Sequence, residues 1–427
     1  MRGCRNWREA FSCNDGARMN RTFDVIIVGA GVIGTVMASL LAARGLTAAN
    51  RIGVIADRLP EGARGDADWD LRVFALSRAS ERILKMCGIW NVLPPNRVSA
   101  YQRMCVWDAA GEAGGKGSLT FDSAELAEPN LGFIADGSSL QRACLQAARQ
   151  AGVSFIEASL GSVEVGAEGV RVRLTDGREL SSDFLIGADG PDSRTRELLG
   201  IETAGHAYWQ DALVAHVRTA KSHQATAWQR FLPTGPLAFL PLPDGRSSIV
   251  WSAALPEAKR LRGLDAAAFG AALTAASGAV LGECVLTTGV AGFPLRLQYA
   301  LEYARPRAVL VGDAAHVVHP LAGQGLNLGL LDCAVLAEVL GERSGKAFGE
   351  FTVLRRYERR RRSENLLSSA ALDGLERLFS ASHPISAASR SAGLGAIGKL
   401  PLIKRHLARR ALGMAGDIPQ FLTREAP

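Results

Sequence analysis

The stretch FDVIIVGAGVIG, residues 23–34, places a short apolar run directly before three closely spaced glycines. Residues 23–29 have the composition of a strand that is buried on both faces, and residues 32–44 have that of a helix. Residues 52–57 (IGVIAD) predict a second strand, which completes a βαβ unit of ordinary length. The stretch therefore predicts an α/β fold that opens with a Rossmann-like unit.

The three glycines have the spacing G-x-G-x-x-G, which gains specificity when it joins a strand to a helix. Gly29 permits a tight turn, Gly31 lets the backbone approach a pyrophosphate, and Gly34 lets helix and strand pack closely. The free N–H groups at the start of the helix attract phosphate. Asp57, at the end of the second strand, would accept hydrogen bonds from ribose hydroxyls. The alternative is a tightly packed turn without a ligand.

The run from Val25 to Ala43 has no charged residue over 19 positions, which a hydropathy window would score as a membrane span. Its glycines and its change from strand-like to helix-like composition favour a buried βα unit instead. Residues 1–21 carry scattered arginines without an apolar core, so we expect a disordered extension, with Met19 as an alternative start.

The whole chain has 427 residues, 48% of them hydrophobic and 21% charged, which indicates a folded protein of two or three units. Its seven cysteines are odd in number and contain no C-x-x-C, which argues against a disulfide framework or a zinc ribbon and favours a reducing compartment. The basic excess lies in residues 351–427, which hold 14 Lys/Arg and 6 Asp/Glu.

Further elements follow from periodicity and turn residues. Helices are expected at 73–88, 138–151, 264–281, 324–341 and through most of the tail, and strands at 153–157, 170–174, 184–188, 308–312 and, as an antiparallel sheet, within 206–253. The Asp-Gly in residues 175–180 predicts a hairpin. A buried strand that returns after an antiparallel insert indicates a discontinuous first domain.

The predicted division of the chain has four parts. They are a disordered extension (1–21), a discontinuous nucleotide-binding domain (22–95, 130–205 and 292–350), a substrate-binding domain (96–129 and 206–291) and a helical, basic C-terminal region (351–427).

Two further motifs contain arginines that could pair with phosphate. Arg72 lies in DLRVFAL, where a surface arginine is the alternative. The second motif, GADGPDSRTR at residues 187–196, follows a predicted strand. In it, Asp189 could orient a nucleotide or substrate, and Arg194 or Arg196 could meet a phosphate. An Asx-type turn with a helix cap explains this motif equally well.

The stretch VGDAAHVVHPLAGQGLNLGL, residues 311–330, contains a His-x-x-His pair, His316 and His319. A metal site would need a third and a fourth ligand, which no other cluster in the sequence supplies. We therefore expect these histidines to shape a turn. Asp313, at a strand end, can accept a hydrogen bond from a ligand hydroxyl. Gly323, Gly325, Leu326 and Asn327 begin a helix whose free N–H groups would face a group that becomes negative.

Together these motifs resemble the FAD-dependent aromatic hydroxylases (p-hydroxybenzoate-hydroxylase-like), and within them the ubiquinone-biosynthesis hydroxylases. The resemblance covers roughly residues 22–365, and HPLAGQGLNLG is its most specific string. It implies an α/β FAD-binding domain of the glutathione-reductase type, with an inserted antiparallel-sheet substrate domain and a helical C-terminal region.

The resemblance also implies an activity: NADPH or NADH reduces FAD, O₂ forms a C4a-hydroperoxyflavin, and a polyprenylated phenol is hydroxylated in ubiquinone biosynthesis. The residues implied to bind FAD are Gly29, Gly31, Gly34, Asp57, Arg72, Asp189, Asp313, Gly323, Gly325, Leu326 and Asn327, with Pro320 beside the reacting face of the flavin. No residue stands out as a general base. Candidates for the substrate cavity are His216, Tyr208, Arg230 and Tyr299, each with a structural role as the alternative.

Two other functions remain open on this reasoning. One is a flavin-dependent hydroxylase or reductase that acts on another aromatic or on a prenyl chain. The other is a non-catalytic FAD-binding partner in a biosynthetic complex.

The tail leaves its own alternatives. KLPLIKRHLARRAL, residues 399–412, predicts a helix with Leu400, Ile403, Leu407 and Ala411 on one face. That face either lies on an anionic membrane or packs on the core and leaves a solvated basic side. Nucleic acid is not an expected partner. We therefore expect a cytoplasmic protein, peripheral to the inner membrane if the first alternative holds.

Overall fold

The computed structural model describes residues 22–60, 68–115, 117–319, 323–345, 347–380 and 400–423. The predicted extension at 1–21 and the predicted site residue Pro320 lie outside these residues.

The helices and strands follow one another as an α/β chain with a long antiparallel insert. The helices are α1 (Val32–Ala43), α2 (Arg78–Met86), α3 (Ile89–Val92), α4 (Gly137–Gln150), α5 (Arg194–Leu198), α6 (Leu255–Arg262), α7 (Ala266–Ser277), α8 (Gln324–Gly341), α9 (Phe351–Ser380), α10 (Pro401–Ala411) and α11 (Gln420–Thr423). The strands are β1 (Val25–Val28), β2 (Ile52–Ala56), β3 (Val73–Leu76), β4 (Val98–Tyr101), β5 (Arg103–Asp108), β6 (Ser118–Asp122), β7 (Gly132–Asp136), β8 (Ser154–Glu157), β9 (Leu160–Val165), β10 (Val170–Leu174), β11 (Glu179–Ser182), β12 (Phe184–Gly187), β13 (Thr203–Thr219), β14 (Thr226–Leu232), β15 (Gly235–Pro241), β16 (Ser247–Ala254), β17 (Cys284–Leu286), β18 (Ala291–Ala300), β19 (Ala304–Arg305), β20 (Ala308–Leu310) and β21 (His316–Val317).

The first sheet has the order β19-β20-β12-β1-β2-β8, and its five strands from β20 to β8 are parallel. The sequence of β1 is continuously apolar because its alternate residues pack into two different cores, one on each face of the sheet. Val25 and Ile27 belong to the core formed with α1, α4 and α8. Ile26 and Val28 pack instead against the small antiparallel sheet of β9, β10 and β11. Because both faces of the sheet are covered, every position of the strand is buried, as the sequence predicts.

The second large sheet is the antiparallel insert, with the order β21-β18-β13-β16-β15-β14-β5-β6 and β17 paired to β13. One face of this sheet packs on α6 and α7 through a core that includes Leu213, Ile249, Trp251 and Phe269. A three-stranded sheet, β3-β7-β4, packs against both large sheets. Its Leu76 and Ala135 belong to the core of the first sheet, and its Ile134 packs with Trp69 and with Leu242, which follows β15 of the insert.

One sequence expectation needs adjustment. The helix predicted over 73–88 is wrong in its first third, because residues 73–76 form β3, which pairs with β7. Ser77 then caps α2 by accepting a hydrogen bond from the Ser80 N–H at 3.2 Å, so the helix begins at Arg78. The predicted domain limits stay a prediction; positions 206 and 292 lie inside β13 and β18, two paired strands of the insert.

The uncharged run of residues 25–43 is β1, its glycine turn and α1, all largely buried. Among the described residues, α8 is long and apolar enough to cross a membrane by composition, and most of its side chains lie inside the protein.

Candidate functional site

The turn between β1 and α1 is shaped by two glycines that leave no room for a side chain. Gly29 has φ +109°, and a Cβ there would lie 2.3 Å from the carbonyl oxygen of Ala188. A Cβ on Gly34 would lie 1.9 Å from the carbonyl oxygen of Gly29. These two positions therefore serve the fold itself, by bringing α1 against the turn and against the strand that ends before Ala188.

Gly31 differs from the other two glycines because a Cβ there would meet no atom within 4 Å. It is the N-cap of α1, with no side chain capping the helix and no acidic residue in the first turn. The N–H groups of that turn are therefore available to an external acceptor. An open, uncapped helix start beside a tight turn is the arrangement that fits a pyrophosphate.

Asp57 and Arg72 are both exposed, and Arg72 lies close enough to Asp313 for its charge to lower the pKa of that carboxyl. Asp57 directly follows β2, and the Gly29 N–H donates to the carbonyl of Ile55 at 2.7 Å, so the ends of both strands share one edge of the sheet. The Arg72 guanidinium lies 5.1 Å from the centre of the Phe74 ring, and no carboxylate among the described residues pairs with it. Both side chains are available to a ligand.

Asp313 lies in the turn that follows β20, at the same carboxyl edge of the parallel sheet. Its carboxylate is half-buried and accepts no hydrogen bond from the described residues. Burial raises the pKa of Asp313 above the usual range, although nearby positive charge, including that of Arg72, opposes the effect. A half-buried carboxylate without a donor is suited to a ligand hydroxyl that approaches this edge.

The start of α8 is a second uncapped helix N-terminus. Gly323 is its N-cap with φ +62°, and a Cβ there would lie 2.7 Å from that of Ala75. No side chain caps the helix, and its first turn has no acidic residue. Gly325 and Leu326, in that first turn, are partly exposed. The end of α8 that faces this edge therefore presents N–H groups and positive potential.

Asn327 holds this helix start in place rather than offering its amide to a ligand. Its Oδ1 accepts hydrogen bonds from the Ser77 N–H at 2.9 Å and the Ser80 hydroxyl at 2.6 Å. Its Nδ2 donates to the carbonyls of Ala75 at 2.8 Å and Gly323 at 2.9 Å. All four hydrogen-bonding positions of the amide are filled within the protein. Sequence reasoning placed Asn327 in the site, and the structure gives it the role of joining α8 to β3 and α2.

Asp189 has a similar internal role. Its carboxylate accepts from the Ser193 hydroxyl at 2.5 Å and from the Thr195 N–H at 2.8 Å, which orders the loop before α5. The Arg196 guanidinium donates to the carbonyls of Ala314 and Pro191, both at 2.9 Å. The loop is thereby tied to the turn that carries Asp313. Of the two open interpretations of this motif, these contacts match the helix-cap turn.

The other arginine of this motif, Arg194, pairs with Glu197 on the surface at 2.8 Å. Its guanidinium therefore already has an anionic partner within α5. The loop is linked to the Asp313 turn through the hydrogen bond from Arg196 to the Ala314 carbonyl.

His316 belongs to a buried network that sequence reasoning missed. Its Nε2 lies 2.6 Å from Oδ2 of Asp332, which also accepts from the Gly312 N–H at 3.0 Å. The other carboxylate oxygen accepts from Nε of Arg361 at 2.7 Å and from Nδ2 of Asn365 at 3.1 Å. Through the bond from the Gly312 N–H to Asp332, the network holds the backbone directly before Asp313 in place. Its members are up to 53 positions apart in the chain, with Asp332 on α8 and Arg361 and Asn365 on α9. The four-residue spacing of Arg361 and Asn365, which places them on one face of α9, is the only signal of it in the sequence.

Electrostatics explains why Asp332 stays ionised although it is fully buried. Burial raises the pKa of Asp332, but the charges and hydrogen bonds of His316 and Arg361 outweigh that effect and lower it to about 2. Through Asp332, His316 is therefore linked to the Gly312 N–H in the turn. His319 lies against the Tyr208 ring at 4.9 Å, with its Nε2 3.4 Å from Oε1 of Gln210. Among the described residues no group of three or more His, Cys, Asp or Glu side chains is placed to hold a metal ion.

The four candidates for the substrate cavity separate in the structure. Arg230 lies on the side of the insert that packs on α7, where it donates to the Ala276 carbonyl at 2.9 Å. Tyr208, which contacts His319, donates to Asp373 at 3.1 Å. Tyr299 pairs in register with His316, in β18 and β21. Tyr208 and Tyr299 therefore lie near the Asp313 turn, and Arg230 does not.

His216 is fully buried on β13, and neither ring nitrogen has a hydrogen-bond partner among the described residues. Burial lowers the pKa of His216, as does the neighbouring Arg246, so the ring is neutral. Cross-strand pairing through Leu237 and Trp251 places Leu213 on the same face of the insert as Arg230. His216 is three residues after Leu213 on β13, so its side chain points to the opposite face.

These residues fit one elongated ligand at the carboxyl edge of the parallel sheet. An anionic group fits the Gly31 end of α1, hydroxyl groups fit Asp57 and Asp313, and a group that gains negative charge fits the start of α8. An FAD molecule carries these features as ribose hydroxyls, a pyrophosphate, ribityl hydroxyls and a ring that gains negative charge on reduction. The set of donors and acceptors present therefore fits FAD.

Comparison with known proteins supports the same assignment. The family described as FAD binding domain matches residues 22–366. The 3-demethoxyubiquinol 3-hydroxylase of Escherichia coli (strain K12) is 33% identical over 399 residues, which cover 92% of this chain and 100% of that protein. The ubiquinone hydroxylase UbiL of Rhodospirillum rubrum is 35% identical over 414 residues, 96% of this chain and 94% of that protein.

A solved structure has the same architecture. The p-nitrophenol 4-monooxygenase PnpA from Pseudomonas putida DLL-E4 superposes with a TM-score of 0.73 and covers 93% of this chain and 99% of its own. Its sequence identity is 18%, so the likeness shows the fold.

Proposed function

Because this chain belongs to the FAD binding domain family of aromatic hydroxylases, we propose that it is an FAD-dependent monooxygenase of ubiquinone biosynthesis. Its substrate is a polyprenylated phenol, and it uses NAD(P)H and O₂. The observation that carries the proposal is the pair of uncapped helix starts, at Gly31 and Gly323, which flank the unpartnered carboxylate of Asp313 at one sheet edge.

The residues at this edge divide the binding of FAD among them. The first turn of α1 binds the pyrophosphate, and Asp57 accepts hydrogen bonds from the adenosine ribose. Arg72, whose guanidinium has no carboxylate partner among the described residues, adds positive charge near the phosphates. Asp313 accepts a hydrogen bond from the ribityl chain. When bound, FAD supplies the transfer of electrons from NAD(P)H to O₂ and of one oxygen atom to the ring.

The start of α8 has a different task, which is electrostatic. Its free N–H groups and the positive end of the helix dipole stabilise negative charge on the flavin ring as the ring is reduced. The hydrogen bonds of Asn327 hold this end of the helix against β3, so the N–H groups are in place before charge develops. Preorganised donors of this kind need no rearrangement during reaction.

The substrate ring lies between this helix start and the insert, beside Tyr208 and Tyr299. His216 is placed deeper on the same face of the insert. The turn of Asp189, which is fixed to the Asp313 turn through Arg196, lies where a nicotinamide donor would approach. The enzyme acts in the cytoplasm at the inner membrane, where a polyprenylated substrate is held, and together with other enzymes of the same pathway.

Complementation tests this function directly. The chain is expressed in bacterial strains that are each blocked at one ring hydroxylation of ubiquinone synthesis, and quinone intermediates are measured by mass spectrometry. We expect restored ubiquinone in at least one strain, with loss of the intermediate that accumulates there. Expression of soluble, FAD-loaded protein without restoration in any strain would contradict the proposal.

A further inference from the structure

Helix α10 packs on the protein so that most of its large apolar side chains face outward, which is the reverse of an ordinary surface helix. Ala408 and, just after the helix, Leu412 are buried, and Lys404 is half-buried on the same side. The outward side carries Leu402, 84% exposed, and Ile403, 47% exposed. Leu407 and Leu400 are also exposed. Of the two alternatives that the sequence left open for this apolar face, the structure therefore does not have it packed on the core.

The same outward side is basic. Arg405 and Arg409 are exposed, and neither pairs with a carboxylate among the residues that the structure describes. The helix contains no acidic residue. A cluster of large apolar side chains flanked by unpaired arginines is a combination that anionic lipid surfaces select.

The helix is held in this orientation by contacts on its inner side. Lys404 pairs with Glu125 at 2.6 Å, and Arg410 pairs with Glu364 of α9 at 2.7 Å. Directly after the helix, Gly413 has φ +67° and approaches Ala79 of α2 so closely that a Cβ would lie 2.8 Å from it. These contacts leave the apolar residues on the outside, so their exposure follows from how the helix is anchored.

We propose that the outward face of α10, formed by Leu402, Ile403, Arg405, Leu407 and Arg409, docks on an anionic lipid bilayer. The charge of the face argues for this occupant over a second copy of the chain, because two such faces would bring arginines against arginines. The proposal deepens the proposed function and rests on it in one respect: a polyprenylated phenol is itself dissolved in a bilayer.

The position of α10 suits that role because α9 links it to the candidate site. Glu364 of α9 holds Arg410, and nine residues further along the same helix Asp373 accepts the hydrogen bond from Tyr208. At 1.5 Å per residue these two contacts are about 14 Å apart along the helix axis. The Tyr208 ring contacts His319, which precedes the start of α8. A docked α10 would therefore bring the site within a short distance of the lipid surface.

Vesicle flotation with the FAD-loaded full chain tests the proposal. The vesicles consist of phosphatidylcholine alone or of phosphatidylcholine mixed with phosphatidylglycerol. One variant pair removes apolar contact (Leu402→Ser with Leu407→Ser), and the other removes charge (Arg405→Gln with Arg409→Gln). The matched controls are Val285→Ser, at an apolar position that is 55% exposed on β17, and Lys259→Gln with Arg262→Gln on α6.

We expect the unmodified chain to float with the anionic vesicles, and salt to weaken that binding. The charge variant should bind roughly fivefold more weakly for each arginine removed. The apolar variant should lose most of its binding, and the controls should bind like the unmodified chain. Equal flotation of both α10 variants and the unmodified chain would overturn the proposal. So would a concentration-dependent dimer that only the α10 variants abolish.

Two readouts separate this proposal from the proposed function. The flavin absorbance of each variant shows that it folds and retains FAD. Hydroxylation of a short-chain, water-soluble phenol should be unchanged in both α10 variants. If the unmodified chain hydroxylates no phenol but its flotation still depends on α10, the docking surface stands and the hydroxylase assignment fails. If the chain hydroxylates phenol and its flotation is the same in the α10 variants, the hydroxylase assignment stands and the docking surface fails.

Discussion

The carboxylate of Asp332 provides the strongest test of how the fold supports the site. Asp332→Asn keeps the shape of the side chain and removes its charge, which leaves the Arg361 guanidinium, only 2% exposed, without an anion. Breaking one partner of a buried pair costs about 3–5 kcal/mol of stability. The Gly312 N–H would also lose a charged acceptor, which loosens the turn that carries Asp313 and should weaken FAD binding.

The pKa of Asp332 gives an independent magnitude. A fall from the ordinary value of 3.8 to about 2 corresponds to about 2 kcal/mol of stability from this group. Because the folded pKa is depressed, that stability is fully present above pH 4 and is lost as the pH falls from about 4 toward 2. The variant should therefore lack the part of the acid dependence that the unmodified chain shows in this window.

The assay is urea unfolding of the apoprotein, followed by circular dichroism at neutral pH and at several acid values, together with FAD titration. Asp332→Asn combined with Arg361→Met should recover part of the lost stability, since the unpaired buried charge is then removed as well. A loss below about 1 kcal/mol for the single variant, or a double variant that is less stable than the single one, would refute this account of the network.

Three further predictions concern the residues around the ligand edge. Gly31→Ala should change the free energy of unfolding by at most about 1 kcal/mol, because a Cβ there meets no atom, and should weaken FAD binding by roughly tenfold. Gly34→Ala should destabilise the fold by about 1–3 kcal/mol or more, because its Cβ would collide with the Gly29 carbonyl. Urea unfolding and FAD titration of both variants check these values. Asp313→Asn should stabilise the apoprotein at neutral pH, because burial disfavours the charged carboxylate, while flavin fluorescence shows weaker binding of FAD; a variant less stable than the parent contradicts this sign. Asn327→Ala should leave the buried Ser77 N–H without its acceptor and cost about 1–3 kcal/mol in unfolding experiments, and it should lower flavin affinity less than Gly31→Ala does.

The sequence predicts the parts of this protein that depend on local pattern. The βαβ unit, the hairpin at 175–180 and the helix at 324–341 follow from apolar periodicity and glycine positions, and the structure confirms them. The motif alone predicts a tight turn at Gly29, which its φ of +109° and its close approach to Ala188 confirm; the pyrophosphate contact at Gly31 stays a prediction.

What the sequence cannot supply depends on contacts between distant segments. Residues 73–76 have apolar side chains compatible with a helix, and only pairing with β7 makes them a strand. Asn327 looks like a ligand-binding residue in its motif, but its partners Ser77 and Ser80 lie about 250 positions earlier in the chain. The orientation of α10 could not be predicted either. An amphipathic pattern indicates which side chains share a helix face, but contacts with distant segments decide which face packs on the protein.

The proposed function requires that this chain transfers one oxygen atom from O₂ to the ring of a polyprenylated phenol. The most direct measurement is incubation of the FAD-loaded chain with a prenylated phenol and NAD(P)H under ¹⁸O₂, with the product analysed by mass spectrometry. We expect one ¹⁸O atom in each hydroxylated product and one NAD(P)H oxidised for each product formed. Oxidation of NAD(P)H without hydroxylated product, or a product whose new oxygen comes from water, would contradict it.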